Sequence, residues 1–212
     1  MNRIVFITIM AIASIAANAQ VKVSAIVSPE VNSSLGIRAG ADFDIPISKR
    51  LSIVPGAYWQ MRHRQIEEVE QFLDGSRTES VIDTKAHFLT VPVRLGLKVY
   101  ERENLSFQLL EGFYAAYGIG GTTNTKITEL VRQTETSSPA FGKGQRYRSR
   151  FDYGLNIGAK ATINKHYVVG LNSEFGFKQI YDLQRGLAGA IASIIPGVST
   201  NLSLGLTVGY QF

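Results

Sequence analysis

Eight stretches of this chain read as strands, and most of them alternate, residue by residue, between an apolar side chain and a polar or small one. The cleanest is FDYGLNIGAKATI at 151–163, where Phe151, Tyr153, Leu155, Ile157, Ala159, Ala161 and Ile163 stand against Asp152, Gly154, Asn156, Gly158, Lys160 and Thr162. A period of two marks a strand with one dry face and one wet face, and little in the chain follows a helical period. The other seven are VKVSAIVS (21–28), SLGIRAGADFDI (34–45), LSIVPGAYWQM (51–61), HFLTVPVRLGLKVY (87–100), LSFQLLEGFYAAYGIG (105–120), YVVGLNSEFGFK (167–178) and NLSLGLTVGYQF (201–212). Their lengths are near the roughly 9–11 residues that a tilted membrane strand needs. The stretch 105–120 is apolar on both edges and has no clean phase. There the side taken by Glu111 is ambiguous, and only an inward placement keeps its charge out of lipid.

Magnitude decides which edge faces what. The polar edges carry Arg38, Asp42, Arg94, Lys98, Asp152, Lys160, Glu174 and Lys178. Turned toward lipid, each would cost about 1–4 kcal/mol, on the order of 10–30 kcal/mol together. A domain whose whole stability is about 5–15 kcal/mol does not tolerate that. The charges therefore belong in the lumen of a barrel as a polar network, and the apolar edges belong against lipid. A soluble barrel with an apolar cavity would have to hold the same charges in that cavity, which is costlier still. The spacers agree. PISKR (46–50), YEREN (100–104) and NKHY (164–167) are short, whereas 62–86, 121–149 and 179–200 are long, and the first connector, PEVN, is short. This rhythm predicts an all-β fold, an eight-stranded antiparallel transmembrane β-barrel of the outer-membrane type, with short periplasmic turns, long extracellular loops and both termini at the short-turn rim. Tyr58, Trp59, Tyr100, Tyr117, Tyr153, Tyr167 and Tyr210 fall toward segment ends, where interfacial girdles are expected.

The start of the chain points the same way. A basic MNR, an apolar IVFITIMAIASI and the small-residue ending AANA have the layout of a secretory signal peptide over 1–19, cut after Ala19, ahead of a barrel domain over 20–212. The apolar run is shorter than the ~20 residues of a membrane helix. The chain has no cysteine, which excludes both a disulfide framework and a lipidated cysteine. Its formal net charge of +5 falls to +4 once Arg3 leaves with the signal. So modest an excess on an exported chain argues against a nucleic-acid partner.

The segments TVPVRLGLK, LLEGFYAAYG, FDYGLNIGAK and LSLGLTVGYQF, in that order after ANAQ, resemble the PorT-like outer membrane β-barrel family of Bacteroidota. That family often has Gly-Pro-Tyr where this chain has Gly112-Phe113-Tyr114. The resemblance implies an outer membrane barrel whose namesake serves a protein secretion and gliding system, while many relatives have no assigned role. It also implies that the terminal aromatic, Phe212, is the signal read by the barrel assembly machinery.

Two kinds of chemistry are then open to such a chain. Side chains just about fill the interior of an eight-stranded barrel, so the lumen charges are expected to form a closed, salt-bridged filling rather than a conducting pore. Catalysis has little to work with. The three histidines, His63, His87 and His166, stand at no spacing from a serine and a carboxylate that reads as a triad, and no cluster has metal spacing. The expectation is a non-enzymatic protein without a cofactor, a structural or accessory component of an envelope or secretion assembly. A lipid-modifying enzyme is the second reading and a narrow pore the third. The loops add two candidate surfaces. Lys143, Arg146, Arg148 and Arg150 either hold the phosphates of outer-leaflet glycolipid or, as charge runs usually do, stay solvated or answer the acidic Glu67, Glu68 and Glu70. The uncharged run LAGAIASIIPGV (187–198), with Leu187, Ile191, Ile194 and Ile195, is either a contact for a partner or an extension of the neighbouring strands over the lumen mouth. The expected partners are outer membrane lipid, the barrel assembly machinery and an envelope protein.

Overall fold

The computed structural model describes residues 21–177 and 201–212, apart from positions 33, 72–76, 129–132, 144, 146 and 148. Its strands are β1 (Lys22–Asn32), β2 (Ser34–Pro46), β3 (Leu51–Gln71), β4 (Arg77–Arg102), β5 (Leu105–Thr128), β6 (Gln133–Pro139), β7 (Phe151–Ile163), β8 (Tyr167–Gly176) and β9 (Asn201–Gln211). Each pairs antiparallel with its neighbour in the order β4-β3-β2-β1-β9-β8-β7-β5, and a β4–β5 pairing closes the ring at eight strands. Closure leaves no long edge unpaired within the membrane, so backbone donors and acceptors are satisfied without water. The strand outside the ring, β6, pairs with Thr122–Thr128 of β5, above the stretch Leu105–Tyr117 that pairs with β7.

Burial follows the alternation, inside out. On β7, Asp152, Asn156 and Lys160 are buried while Phe151, Tyr153 and Ile157 are exposed. Leu89, Leu95, Leu171 and Leu204 are each more than half exposed, at 51%, 51%, 57% and 55%. Apolar residues cover the outer wall on every strand of the ring, far beyond the few hundred Å² that a water-soluble monomer exposes in one patch. Only a lipid surround makes that wall favourable.

The connectors differ from the expectation in length. The residues read as a first connector, Pro29–Asn32, belong to β1 and pair with Ile37–Ser34 of β2. The segment 62–86, read as a loop, is mostly ladder: β3 and β4 stay paired from Met61↔His87 up to Gln71↔Arg77. The segment 121–149 likewise begins as the β5–β6 hairpin. The physical reason is the solvent. Above the membrane, outward positions no longer need apolar side chains, and Glu67, Asp83 and Lys85 occupy them. The apolar signal stops at the rim while the hydrogen-bonded ladder continues. A bulge between His87 and Phe88, opposite Ile119, lies where β4 and β5 leave the barrel wall and adds local twist.

At the other rim the turns are short. Ser48 Oγ accepts from the backbone N–H of Leu51 at 3.1 Å, and Asn164 and Lys165 adopt left-handed φ of 50° and 66° to reverse β7 into β8. Of the aromatic residues assigned to the interface, Trp59, Tyr100, Tyr117, Tyr153, Tyr167 and Tyr210 do face outward. Tyr58 does not: it is 3% exposed, points into the lumen and takes part in the polar network there.

Candidate functional site: a charged lumen beneath an aromatic plug

Inward positions on all eight ring strands contribute to one buried network. Four cations, Arg38, Arg62, Arg94 and Lys160, face five carboxylates, Glu30, Asp42, Asp44, Asp152 and Glu174. At its centre Arg38, on β2, bridges Glu30 of β1 at 3.1 Å and Glu174 of β8 at 2.9 Å, and stacks its guanidinium 4.6 Å from the centre of the Tyr58 ring. Gln60 on β3 donates to both carboxylates, at 2.6 Å to Glu30 and 3.2 Å to Glu174, and accepts at 3.1 Å from Thr90. One layer toward the outside, Arg62 pairs with Asp152 at 2.7 Å and reaches Glu174 at 3.5 Å, while the Tyr114 hydroxyl donates to Asp152 at 3.0 Å. Toward the periplasm, Arg94 and the Tyr58 hydroxyl both bind Asp42, and Lys160 pairs with Asp44 at 3.3 Å.

Glycines make room for this packing. A Cβ on Gly56 would lie 2.7 Å from both an Asp42 oxygen and the Tyr58 ring. A small cavity of ≈ 10 Å³ is lined among others by Arg38, Asp42, Tyr58 and Arg94. That is about the space of one water. Below it the periplasmic mouth opens into a vestibule of ≈ 870 Å³ lined by Lys22, Asp44, Lys98, Glu101 and Lys160.

The extracellular end of the lumen is closed by carbon rather than by charge. After β6 the chain turns inward and buries Ala140, Phe141 and Tyr147 against Ala86 and Phe88 of β4 and Tyr114 and Ala116 of β5. Phe88 contacts Phe141 and Tyr147 edge-on, with ring centres 5.5 Å and 5.6 Å apart, geometries that add to plain area burial. Gly118 leaves the space: a Cβ there would lie 2.3 Å from the Phe141 ring. Arg62 caps the Phe88 ring from below at 4.4 Å, joining plug and network.

Six of the eight residues assigned to the lumen network, Arg38, Asp42, Arg94, Asp152, Lys160 and Glu174, are buried within it. Their partners are not the near neighbours in sequence: Arg38 pairs across to Glu30 and Glu174 rather than to Asp42. Lys98 is a correction. It lies at the vestibule, half-exposed, and bonds Glu101 at 2.9 Å. Lys178 lies outside the described residues, as do Arg146, Arg148, Leu187, Ile191, Ile194, Ile195 and the signal segment 1–19. In the basic loop, Lys143 is exposed, but Arg150 donates to the Gly118 carbonyl at 2.9 Å and lies 5.0 Å from the centre of the Phe141 ring, so it braces the plug. Glu111, whose side the sequence left open, faces outward. The stretch 105–120 looked apolar on both edges because its inward residues Leu110, Tyr114 and Ala116 are buried in the lumen, the last two against the apolar plug. Sequence reading missed Glu30, Asp44, Arg62, Gln60 and Tyr114. Glu30 and Arg62 lie in segments read as connectors, where continuing the period of two would have placed both inward. Histidine chemistry is occupied by structure: His63 pairs with Asp83 at 3.2 Å above the membrane, His87 stacks on Trp59, and His166 stacks on Tyr210. Among the described residues no group of acidic or histidine side chains is placed to hold a metal ion.

Residues 12–182 match the family described as outer membrane protein beta-barrel domain. The chain belongs to that family. Its lipid-facing wall and closed ring are those of an outer membrane protein, and that membrane is its location. No curated protein matches the sequence. Among solved structures, this family member is similar to Ail, the attachment invasion locus protein of Yersinia pestis, at 13% identity and a TM-score of 0.38 over 91% of this chain and 97% of that one. It is similar also to the N-terminal β-barrel domain of OprF from Pseudomonas aeruginosa, at 9% identity and a TM-score of 0.34 over 92% and 100% of the two chains.

Proposed function

We propose that this protein is a non-enzymatic, structural or accessory component of an outer membrane assembly, exported with removal of residues 1–19 and binding its partners through the extracellular hairpins and rim. The observation that carries this reading is the filled lumen. Buried ion pairs from six of the ring strands, hydrogen bonds from Tyr114 of β5 and Ser203 of β9, and an aromatic plug fill the lumen above the vestibule, which supports a closed barrel rather than a passage or a substrate site there. The resemblance to PorT-like barrels supports a role beside a secretion system, and Phe212, exposed at the periplasmic rim, suits recognition by the assembly machinery. Glycolipid contact through the basic loop rests on Lys143, Arg146 and Arg148, since Arg150 is engaged with the plug. Partner contact through Leu187, Ile191, Ile194 and Ile195 is the companion proposal for the last loop.

The test is a deletion strain examined in parallel for lipid A mass, phospholipid profile and co-purifying envelope proteins. The expected result is an unchanged lipid profile together with a stoichiometric partner that is lost in Ile194→Asp and Ile195→Asp. A change in lipid A acylation restored by the wild-type gene would replace this reading with the lipid-modifying one.

A further inference from the structure

One side chain contradicts the wall it stands on. Glu111 is exposed on the outer face of β5, between Leu109 and Phe113, with Leu95 of β4 and Ile157 of β7 as its register partners on either side. Along β5 the outward residues run Leu105, Phe107, Leu109, Glu111, Phe113, Ala115 and Tyr117, which places the carboxylate near mid-height of the apolar band. Every other outward side chain at that height, among the described residues, is uncharged. No ion pair or hydrogen bond among them engages the Glu111 carboxylate.

A carboxylate at this depth is unfavourable and needs a counter-group. Its own side chain does not supply one, since a short acidic stem lacks the reach by which lysine and arginine snorkel to the interface. Lipid does not supply one either, because donors in the headgroups lie at the edges of the ~25 Å band. A second copy of the chain would present an identical wall, with its own Glu111 and no cation. What fits is a different membrane-embedded protein that places a lysine or arginine at the same height. Ala159, diagonal to Glu111 on β7, lowers the wall beside the carboxylate and admits a longer side chain.

We infer that the β4–β5–β7 wall around Glu111 is a lateral docking face for a second outer membrane protein, bound through a basic side chain buried against Glu111. This deepens the accessory-component reading by naming where, and by what chemistry, a partner is held.

The experiment is site-specific photocrosslinking of the full-length chain in intact outer membranes, with p-benzoylphenylalanine at Phe113, at Val27 on the diametrically opposite β1, and at Lys143 on the extracellular rim. Phe113 is expected to give a discrete adduct and Val27 none. The crosslinked peptide should map to a membrane-spanning segment bearing lysine or arginine, and Glu111→Leu should reduce the adduct at least tenfold. Glu111→Leu keeps an apolar outer wall, so heat-modifiable migration should confirm that it still folds. Glu111→Lys should abolish the adduct, and exchanging the partner's basic residue for glutamate should restore it. No adduct at Phe113, an adduct indifferent to Glu111→Leu, or an adduct of twice the chain mass would each overturn the inference. An adduct at Lys143 without one at Phe113 would leave the accessory role standing and remove only the lateral face.

Discussion

Replacing Arg38 by methionine tests the lumen network at its centre. Arg38 is 1% exposed and lies between two carboxylates at 3.1 Å and 2.9 Å. Removing one partner of a buried ion pair usually costs about 3–5 kcal/mol, because the remaining charge is left uncompensated. Here Glu30 and Glu174 keep the Gln60 amide at 2.6 Å and 3.2 Å, and Glu174 keeps Arg62 at 3.5 Å, so the low end applies. The expected loss is about 3 kcal/mol, roughly a 150-fold fall in the folding equilibrium constant. The assay is reversible urea unfolding of the barrel in lipid vesicles. It is read by the fluorescence of Trp59, the single tryptophan, which lies on the lipid-facing wall. Adding Glu30→Gln and Glu174→Gln to Arg38→Met should recover part of the loss, since the stranded charges are then gone. A cost below about 1 kcal/mol for Arg38→Met, the value of an exposed pair, would refute the account of a dry, mutually compensated network.

Three further outcomes follow from the same geometry. Phe141→Ala should loosen the plug locally, so proteolysis between residues 140 and 150 should rise while the global unfolding midpoint moves less than the ~3–5 kcal/mol typical of a phenylalanine deletion in a full core. Gly118→Leu should expel the same ring, whose edge lies 2.3 Å from the added Cβ, and give the same proteolytic signature from the opposite side of the contact. Lys160→Met should cost only about 1 kcal/mol in the urea assay, because Asp44 borders the vestibule and gains water when its partner leaves.

Much of this fold is legible in the sequence because lipid imposes a strict pattern: seven residues of one register in 151–163 face outward and the six between them face inward or toward the lumen. The inward charges of β2, β4, β7 and β8 follow from that pattern alone. What the pattern does not reveal lies where lipid stops acting. Arg62 and Glu30 stand at the rim, where outward neighbours turn polar and the contrast that marks a strand fades. The plug is invisible for a different reason. Phe141 and Tyr147 sit in a polar segment, and nothing local tells that their rings fold back onto Phe88, far away in the chain. Pairings inside the lumen are equally non-local: Arg38 meets Glu174 only because the ring sets β2 and β8, three strands apart, across a narrow interior. Glu111 shows the limit of energetic bookkeeping in a single chain. The rule that charges avoid lipid favours an inward side chain where the sequence itself has no clean phase, whereas the ladder on both sides holds it outward.

The most direct test of the closed lumen is single-channel recording of the purified protein in planar bilayers, beside Arg38→Met and a variant lacking the plug rings, Phe141→Ala with Tyr147→Ala. The network and plug together predict no conductance above bilayer leak for the wild type, and none for the plug variant while the ion pairs beneath remain. Discrete, stable conductance steps from the wild-type barrel would contradict the account.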